Sequence, residues 1–126
     1  MNFVKLFGNK IRAKDVVFKN EKNLDDTKSW ENIKRHVGGF TTITVDLSKY
    51  DEFLLTIGTY PTNSWRILSS TIIPKNALQN VTSTDDNGIF QTYYNGTYWA
   101  GIDYLGNNQI RIRSSNTGAV ATLWGR

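Results

Sequence analysis

The chain holds few residues suited to catalysis. There is one histidine, His36, and no cysteine. A nucleophile needs a base within hydrogen-bond reach, and no Ser motif stands near His36. The residue falls in the last turn of an expected helix, where a cation suits the helix dipole and the role is structural. Three acidic pairs occur: Asp25-Asp26, Asp51-Glu52 and Asp85-Asp86. Glycoside hydrolysis needs two carboxylates converging on one bond. These pairs lie in turns or at element ends, where carboxylates are usually solvated turn-formers. Asp85-Asp86-Asn87-Gly88 lacks the distal Glu and the alternating ligands of a calcium loop. No phosphate-binding glycine loop is present, and neither metal nor cofactor is expected.

Binding chemistry is better supplied. In Tyr60-Pro61-Thr62-Asn63-Ser64-Trp65-Arg66, the side chains of Tyr60 and Trp65 can stack on a sugar face while Asn63 and Arg66 hydrogen-bond its hydroxyls. The competing reading makes Trp65 the first core residue of its strand, since Trp is buried on average. A second group comes from the stretch 89–124, read as a four-stranded meander: 89–94, 97–104, 109–115 and 119–124. Asn95-Gly96 between alternating aromatic flanks is a strong hairpin cue, because a type I′ turn needs φ > 0 at both central residues. That turn sets Tyr93 against Tyr98, Thr92 against Trp99 and Ile89 against Ile102. Burial of one face then favours a three-residue loop at 106–108, which aligns Ile102 with Ile112 and Tyr104 with Ile110. Asn116-Thr117-Gly118 closes the last hairpin.

This register sorts the meander into two faces. Ile89, Tyr93, Tyr98, Ala100, Ile102, Tyr104, Ile110, Ile112, Val120 and Trp124 form the core face. The other carries Phe90, Thr92, Tyr94, Thr97, Trp99, Gly101, Asp103, Arg111, Arg113 and Leu123, with Asp103 opposite Arg111 as a cross-strand ion pair and Phe90 able to cover Gly101. Aromatic and Arg enrichment suits an interface. A subunit interface, a ligand platform and the underside of another sheet all remain open for Phe90, Tyr94, Trp99, Asp103, Arg111 and Arg113.

Upstream of these residues the elements are simpler. A helix is expected from Asp26 or Thr27, with Trp30, Ile33 and Val37 as its apolar stripe and Gly38-Gly39 ending it. Strands follow at 40–47, 52–58 and 65–73, the last stopped by Pro74, with a turn-rich link at 75–80 and a polar turn before Gly88. The length suits one domain, and 39% hydrophobic with 13% aromatic residues is too apolar for a disordered chain. No signal peptide or membrane span is evident, so the Asn-X-Ser/Thr sites at Asn80 and Asn95 read as chance. The net charge of +4 resides in residues 1–37, with nine Lys/Arg against five Asp/Glu. The remainder balances at six and six. Without excess charge on the β-rich part, nucleic acid is not an expected partner.

Ala13-Lys14-Asp15-Val16-Val17-Phe18, a polar stretch, and Asp26-Thr27-Lys28-Ser29-Trp30-Glu31-Asn32-Ile33 together resemble a segment of bacteriophage tail fibre and baseplate proteins, where an A-x-D-V-x-F/Y strand leads to a short helix. Val45-Asp46-Leu47-Ser48-Lys49-Tyr50-Asp51-Glu52-Phe53, the strand ending Ile72-Ile73-Pro74-Lys75, the Tyr-rich hairpin and the close near Trp124-Gly125-Arg126 resemble receptor-binding tips of the same proteins in phages and prophages of Gram-positive hosts. The resemblance implies a homotrimeric β-sandwich tip that binds cell-surface saccharide and contacts other tail proteins in the virion. It supplies no site residues. Such tips usually end a longer fibre, whereas Met1 opens almost directly on the segment, so an excised domain and a small accessory tail protein both fit. The combined expectation is an all-β, antiparallel, jelly-roll-like β-sandwich with one short N-terminal helix. Residues 1–38 would form a connecting segment and 39–126 the tip, a non-catalytic adhesion module without membrane contact. A structural connector and a glycan depolymerase are the alternatives.

Overall fold

The computed structural model describes residues 28–59 and 66–126. Its strands are β1 (Glu31–Val37), β2 (Gly39–Thr44), β3 (Glu52–Thr59), β4 (Arg66–Pro74), β5 (Phe90–Tyr93), β6 (Trp99–Gly106), β7 (Gln109–Ser114) and β8 (Ala119–Gly125). A 3₁₀ turn, Leu47–Lys49, joins β2 to β3, and a short helix α1, Lys75–Gln79, follows β4. The first sheet has the order β1-β8-β3-β4 and the second β2-β7-β6-β5. Every pairing is antiparallel. The fold is an all-β sandwich, and the first two described strands pair with the last two, β1 on β8 and β2 on β7, in jelly-roll manner.

Alternation builds the core. Phe53, Leu55 and Ile57 from β3 and Leu123, Ala121 and Ala119 from β8 face Ala100, Ile102, Tyr104, Ile110 and Ile112 from β6 and β7. Val45, Leu47, Tyr50 and Leu78 from the connections join the same cluster. Thr92 is a polar intrusion at the sheet edges, and its hydroxyl is satisfied by Ser69 Oγ at 2.7 Å.

Glu31–Val37 is a strand, not the expected end of a helix. An isolated short helix is marginal, whereas six of this segment's seven residues pair with β8. A bulge lies between Asn32 and Lys34. The extra residue, Ile33, packs against the core, and its spacing from Val37 thereby imitates a helical stripe. Gly38 and Gly39 have φ of 69° and 71°, so they turn the chain from one sheet to the other instead of capping a helix. The expected boundary at residue 38 consequently falls between two strands of the sandwich. Residues 75–79, expected as a turn-rich link, contain the one α-helix among the described residues. The strand-like arm expected at 13–18 lies outside the described residues.

The stretch 89–124 departs from a simple meander in two ways. First, β8 belongs to the other sheet, so Asn116-Thr117-Gly118 makes a crossover and not a hairpin. It is a tight corner: Ala119 N donates to Asn116 O at 3.1 Å, and Gly118 N donates to Asn116 Oδ1 at 2.7 Å. The crossing moves Leu123 into the core between the sheets; Val120 is buried as expected, but on the opposite side of β8, where Trp124 is half-buried. Second, the β5–β6 register is one residue off the expected one: Tyr93 pairs with Trp99, Thr92 with Ala100 and Phe90 with Ile102. Gly96 does not adopt positive φ. Instead Asn95 Oδ1 accepts from Thr97 N at 2.9 Å and Tyr98 N at 3.0 Å, making a longer side-chain-organised loop. The positive-φ pair is Asn107-Asn108, at 54° and 62°. That turn preserves the expected partners Ile102–Ile112 and Tyr104–Ile110.

Two polar contacts hold Trp30 and Glu31, at the start of β1, against the rest of the sandwich. Arg126 stacks on Trp30 at 4.3 Å and bonds Glu52 at 2.7 Å. Tyr50 OH donates to Glu31 Oε1 at 2.6 Å. This bond, with burial and the adjacent charge, pushes the phenol from its ordinary 10.0 to about 12. The unfolded chain therefore loses this proton first as pH rises. The stabilisation is complete below the ordinary phenol value and is lost as pH climbs through about 12. We expect Tyr50 to ionise well above the ordinary phenol value in an ultraviolet titration, and Glu31→Gln to bring it back toward that value. A Glu31→Gln titration identical to wild type would count against the assignment.

Candidate functional site

The outer face of the second sheet gathers the chemistry. Its positions are set by the pairings Phe40–Arg113 and Thr42–Arg111 between β2 and β7, Gly101–Arg113 and Asp103–Arg111 between β7 and β6, and Gln91–Gly101 and Tyr93–Trp99 between β6 and β5. Side chains alternate along each strand, so all of these share the face turned from the core.

Asp103 anchors one half. It is 1% exposed. Oδ2 accepts from Arg111 Nη2 at 2.6 Å and Nε at 3.0 Å, while Oδ1 accepts from Ile89 N at 2.7 Å. The expected Asp103–Arg111 pair is thus present, and it has a further task. Arg111 Nη2 also donates to Asp85 O at 2.8 Å, and Gln91 Nε2 donates to Gly88 O at 2.9 Å. Residues 85–89 are held as a strap over the sheet. Gly101 makes room for it: a Cβ there would overlap Asn87 O, and one on Gly88 would lie 2.6 Å from Gly101 Cα. The gap over Gly101 is therefore filled by strap backbone, not by Phe90.

The other half is aromatic and cationic. The guanidinium carbons of Arg111 and Arg113 lie 4.5 Å and 4.4 Å from the Phe40 ring centre, and that of Arg113 lies 5.4 Å from Trp99. These distances are within cation–π range. Trp99 is fixed at its backbone, whose N–H donates to Ser115 Oγ at 3.1 Å and whose carbonyl accepts from Ser115 N at 3.1 Å. Ser115 Oγ and Asn116 Nδ2 both donate to Thr97 O, which ties the Asn95-Gly96 loop to the crossover. Phe40 is 46% exposed and Tyr93 62% exposed. Phe40 was absent from the expected face because residues 40–47 had no assigned neighbour; its pairing with Arg113 brings it in.

Of the six residues expected on this face, Trp99, Asp103, Arg111 and Arg113 share it. Phe90 does not: the one-residue register change turns it inward, where it packs against the core. Tyr94 sits exposed in the loop beyond the strand. Tyr93, expected in the core, takes a place on the outer face, and Ile89 is exposed where burial was expected. In the other proposed group, Arg66 is exposed at the start of β4. Tyr60, Asn63 and Trp65 lie outside the described residues.

The acidic pairs that are described serve local structure. Asp51 pairs with Lys28 at 3.4 Å, Glu52 with Arg126, and Asp85 Oδ1 accepts from Asn87 N at 2.9 Å. Asp25-Asp26 lies outside the described residues. His36 Nε2 is 2.9 Å from Gly39 O, across the turn between β1 and β2. Among the described residues no group of three His, Asp or Glu side chains forms a metal site, and no helix is long and apolar enough to cross a membrane.

Compared with known proteins, the chain matches no family model, no curated protein and no solved structure.

The strap depends on a buried charge and on a missing side chain, and each is open to test. Asp103→Ala leaves Arg111 uncompensated and Ile89 N without an acceptor. It should cost about 3 kcal/mol in urea denaturation, as expected for breaking a largely buried pair. Gly101→Ala should cost about 1–3 kcal/mol through overpacking and speed hydrogen exchange at the Ile89 amide. Wild-type exchange at that amide would show that the strap is not held by this packing.

Proposed function

We propose that this chain is a non-catalytic adhesion module of a bacteriophage tail that recognises saccharide on the host cell surface. One observation carries the reading: the outer face of the second sheet presents Phe40, Arg113, Trp99 and Tyr93 together, on strands whose positions are fixed by pairing and by the strap. Exposed rings offer flat apolar surface for a sugar face, and guanidinium donors can bond hydroxyls around it. A rigid sheet holds these groups without the ordering cost of a loop. The sandwich fold is the one implied by the resemblance to tail receptor-binding tips, which supports the reading without assigning a receptor.

A second reading is a structural connector of the tail, or a homotrimer built through the same face. It is favoured by the enrichment of aromatic and Arg side chains, the usual composition of interface centres. Light scattering at micromolar concentration separates these: a trimer is expected if the face is a subunit contact, and a monomeric mass rules that contact out.

Binding should be measured on cell-wall polysaccharides from Gram-positive bacteria. Trp99→Ala should weaken it by about tenfold or more, the usual scale for an aromatic anchor. Ile72→Ala, at an exposed site on the first sheet, should leave it unchanged, and no new reducing ends should appear. Equal binding by wild type and Trp99→Ala would remove this face as the saccharide site.

A further inference from the structure

We infer that the outer-face site selects saccharides carrying an anionic group, a carboxylate or a phosphate, and that Arg113 is the residue that reads it. The inference rests on the proposed saccharide function and concerns the same face. It starts from the difference between two neighbouring guanidiniums. Arg111 is neutralised by Asp103 through two hydrogen bonds and spends a third on the strap. Arg113 makes no hydrogen bond and no ion pair among the described residues. Its Nε is shut off from solvent and has no partner. Phe40 and Trp99 lie within stacking distance of its guanidinium.

A charge in such a place is costly to leave unmatched. Ring contacts replace part of its water but supply no acceptor, and a buried donor without one forfeits the free energy of the missing bond. The side chain is half-buried, and Nε is its one sealed nitrogen without a partner, so the terminal nitrogens keep access to solvent. Asp103 cannot turn to serve it, because both its oxygens are occupied. Asp85 lies at the Arg111 end of the strap and spends its Oδ1 on Asn87 N. No described carboxylate pairs with Arg113, which leaves its terminal nitrogens open to an acceptor from outside. A carboxylate or phosphate fits best, since charge-assisted bonds to a planar fork are the strongest a guanidinium makes. Phe40 and Trp99 hold that fork in place, and Phe40 and Tyr93 remain exposed beside it for a sugar ring.

The test uses the full chain and three probes: an oligogalacturonate, its methyl ester, and a glycerol phosphate oligomer. Binding is followed by tryptophan fluorescence and by the Arg113 Nε–H resonance. Tighter binding of the oligogalacturonate than of its neutral ester, by about tenfold or more and weakened by salt, supports the inference and identifies a carboxylate. Binding of the glycerol phosphate oligomer alone supports it and identifies a phosphate. Movement of the Arg113 resonance in wild type makes the conclusion independent of any variant. Arg113→Gln, checked for an unchanged melting temperature, should erase the preference. Equal binding of the acid and its ester would overturn anion selection while leaving saccharide recognition standing. No binding of any of these probes, together with retained binding of neutral wall polysaccharide lost in Trp99→Ala, would overturn the inference and spare the proposed function. Failure of all of them would remove both.

Discussion

A carboxylate sealed from water must have its partners supplied by the protein, and Asp103 organises one face of this sandwich around that requirement. Its two oxygens draw in Arg111 from the neighbouring strand and the backbone of Ile89 from the strap. Each link imposes another. Arg111 must extend along the sheet to reach Asp103, which brings it beside Phe40 and lets it hold Asp85 O. The strap must cross low over β6, which only Gly101 permits. Once Arg111 is committed to Asp103, Arg113 is left as the uncompensated cation, resting between rings. The asymmetry of the face, one neutral half and one positive half, follows from a single buried acid.

The core beneath this face was readable wherever side chains alternate without interruption. Phe53, Leu55 and Ile57 on β3, and Ile102, Tyr104, Ile110 and Ile112 on β6 and β7, stand on the buried side that period-two alternation assigns to them. Asp103 opposite Arg111 was legible for the same reason. Two failures share one cause: a local rule met a device that shifts register by one residue. A bulge at Ile33 gave a strand the spacing of a helix stripe. At Asn95-Gly96, the Asn side chain took over the work of the turn, which lengthened the loop and turned Tyr93 outward and Phe90 inward. A shift of one residue exchanges the faces of a strand, so a small local misreading displaced two of six expected site residues.

What no local pattern could supply was the partner of each edge. Phe40 completes the aromatic cluster only because β2 lies on β7, a pairing between segments about 70 residues apart. The crossing of β8 into the opposite sheet was equally invisible, since Asn116-Thr117-Gly118 is compatible with both a hairpin and a corner. The strap escaped notice because its anchors are backbone atoms: Ile89 N, Asp85 O and Gly88 O carry no signature in the residue types.

The position of β8 bears on how the molecule is made. It is the last strand in chain order, yet it lies between β1 and β3 and is bonded to both. Until it arrives, the first sheet has no centre, and the β3–β4 hairpin waits with an open edge. The contacts that close it join residues such as Leu54 and Trp124, far apart along the chain. Loop-closure entropy is spent before such contacts return anything, which places a topology of this kind among the slow folders, in the millisecond-to-second range. During synthesis the exposed β3 edge is open to wrong pairing with another chain. A chaperone that shields this edge until residues 119–125 emerge would act at a step where this architecture is vulnerable.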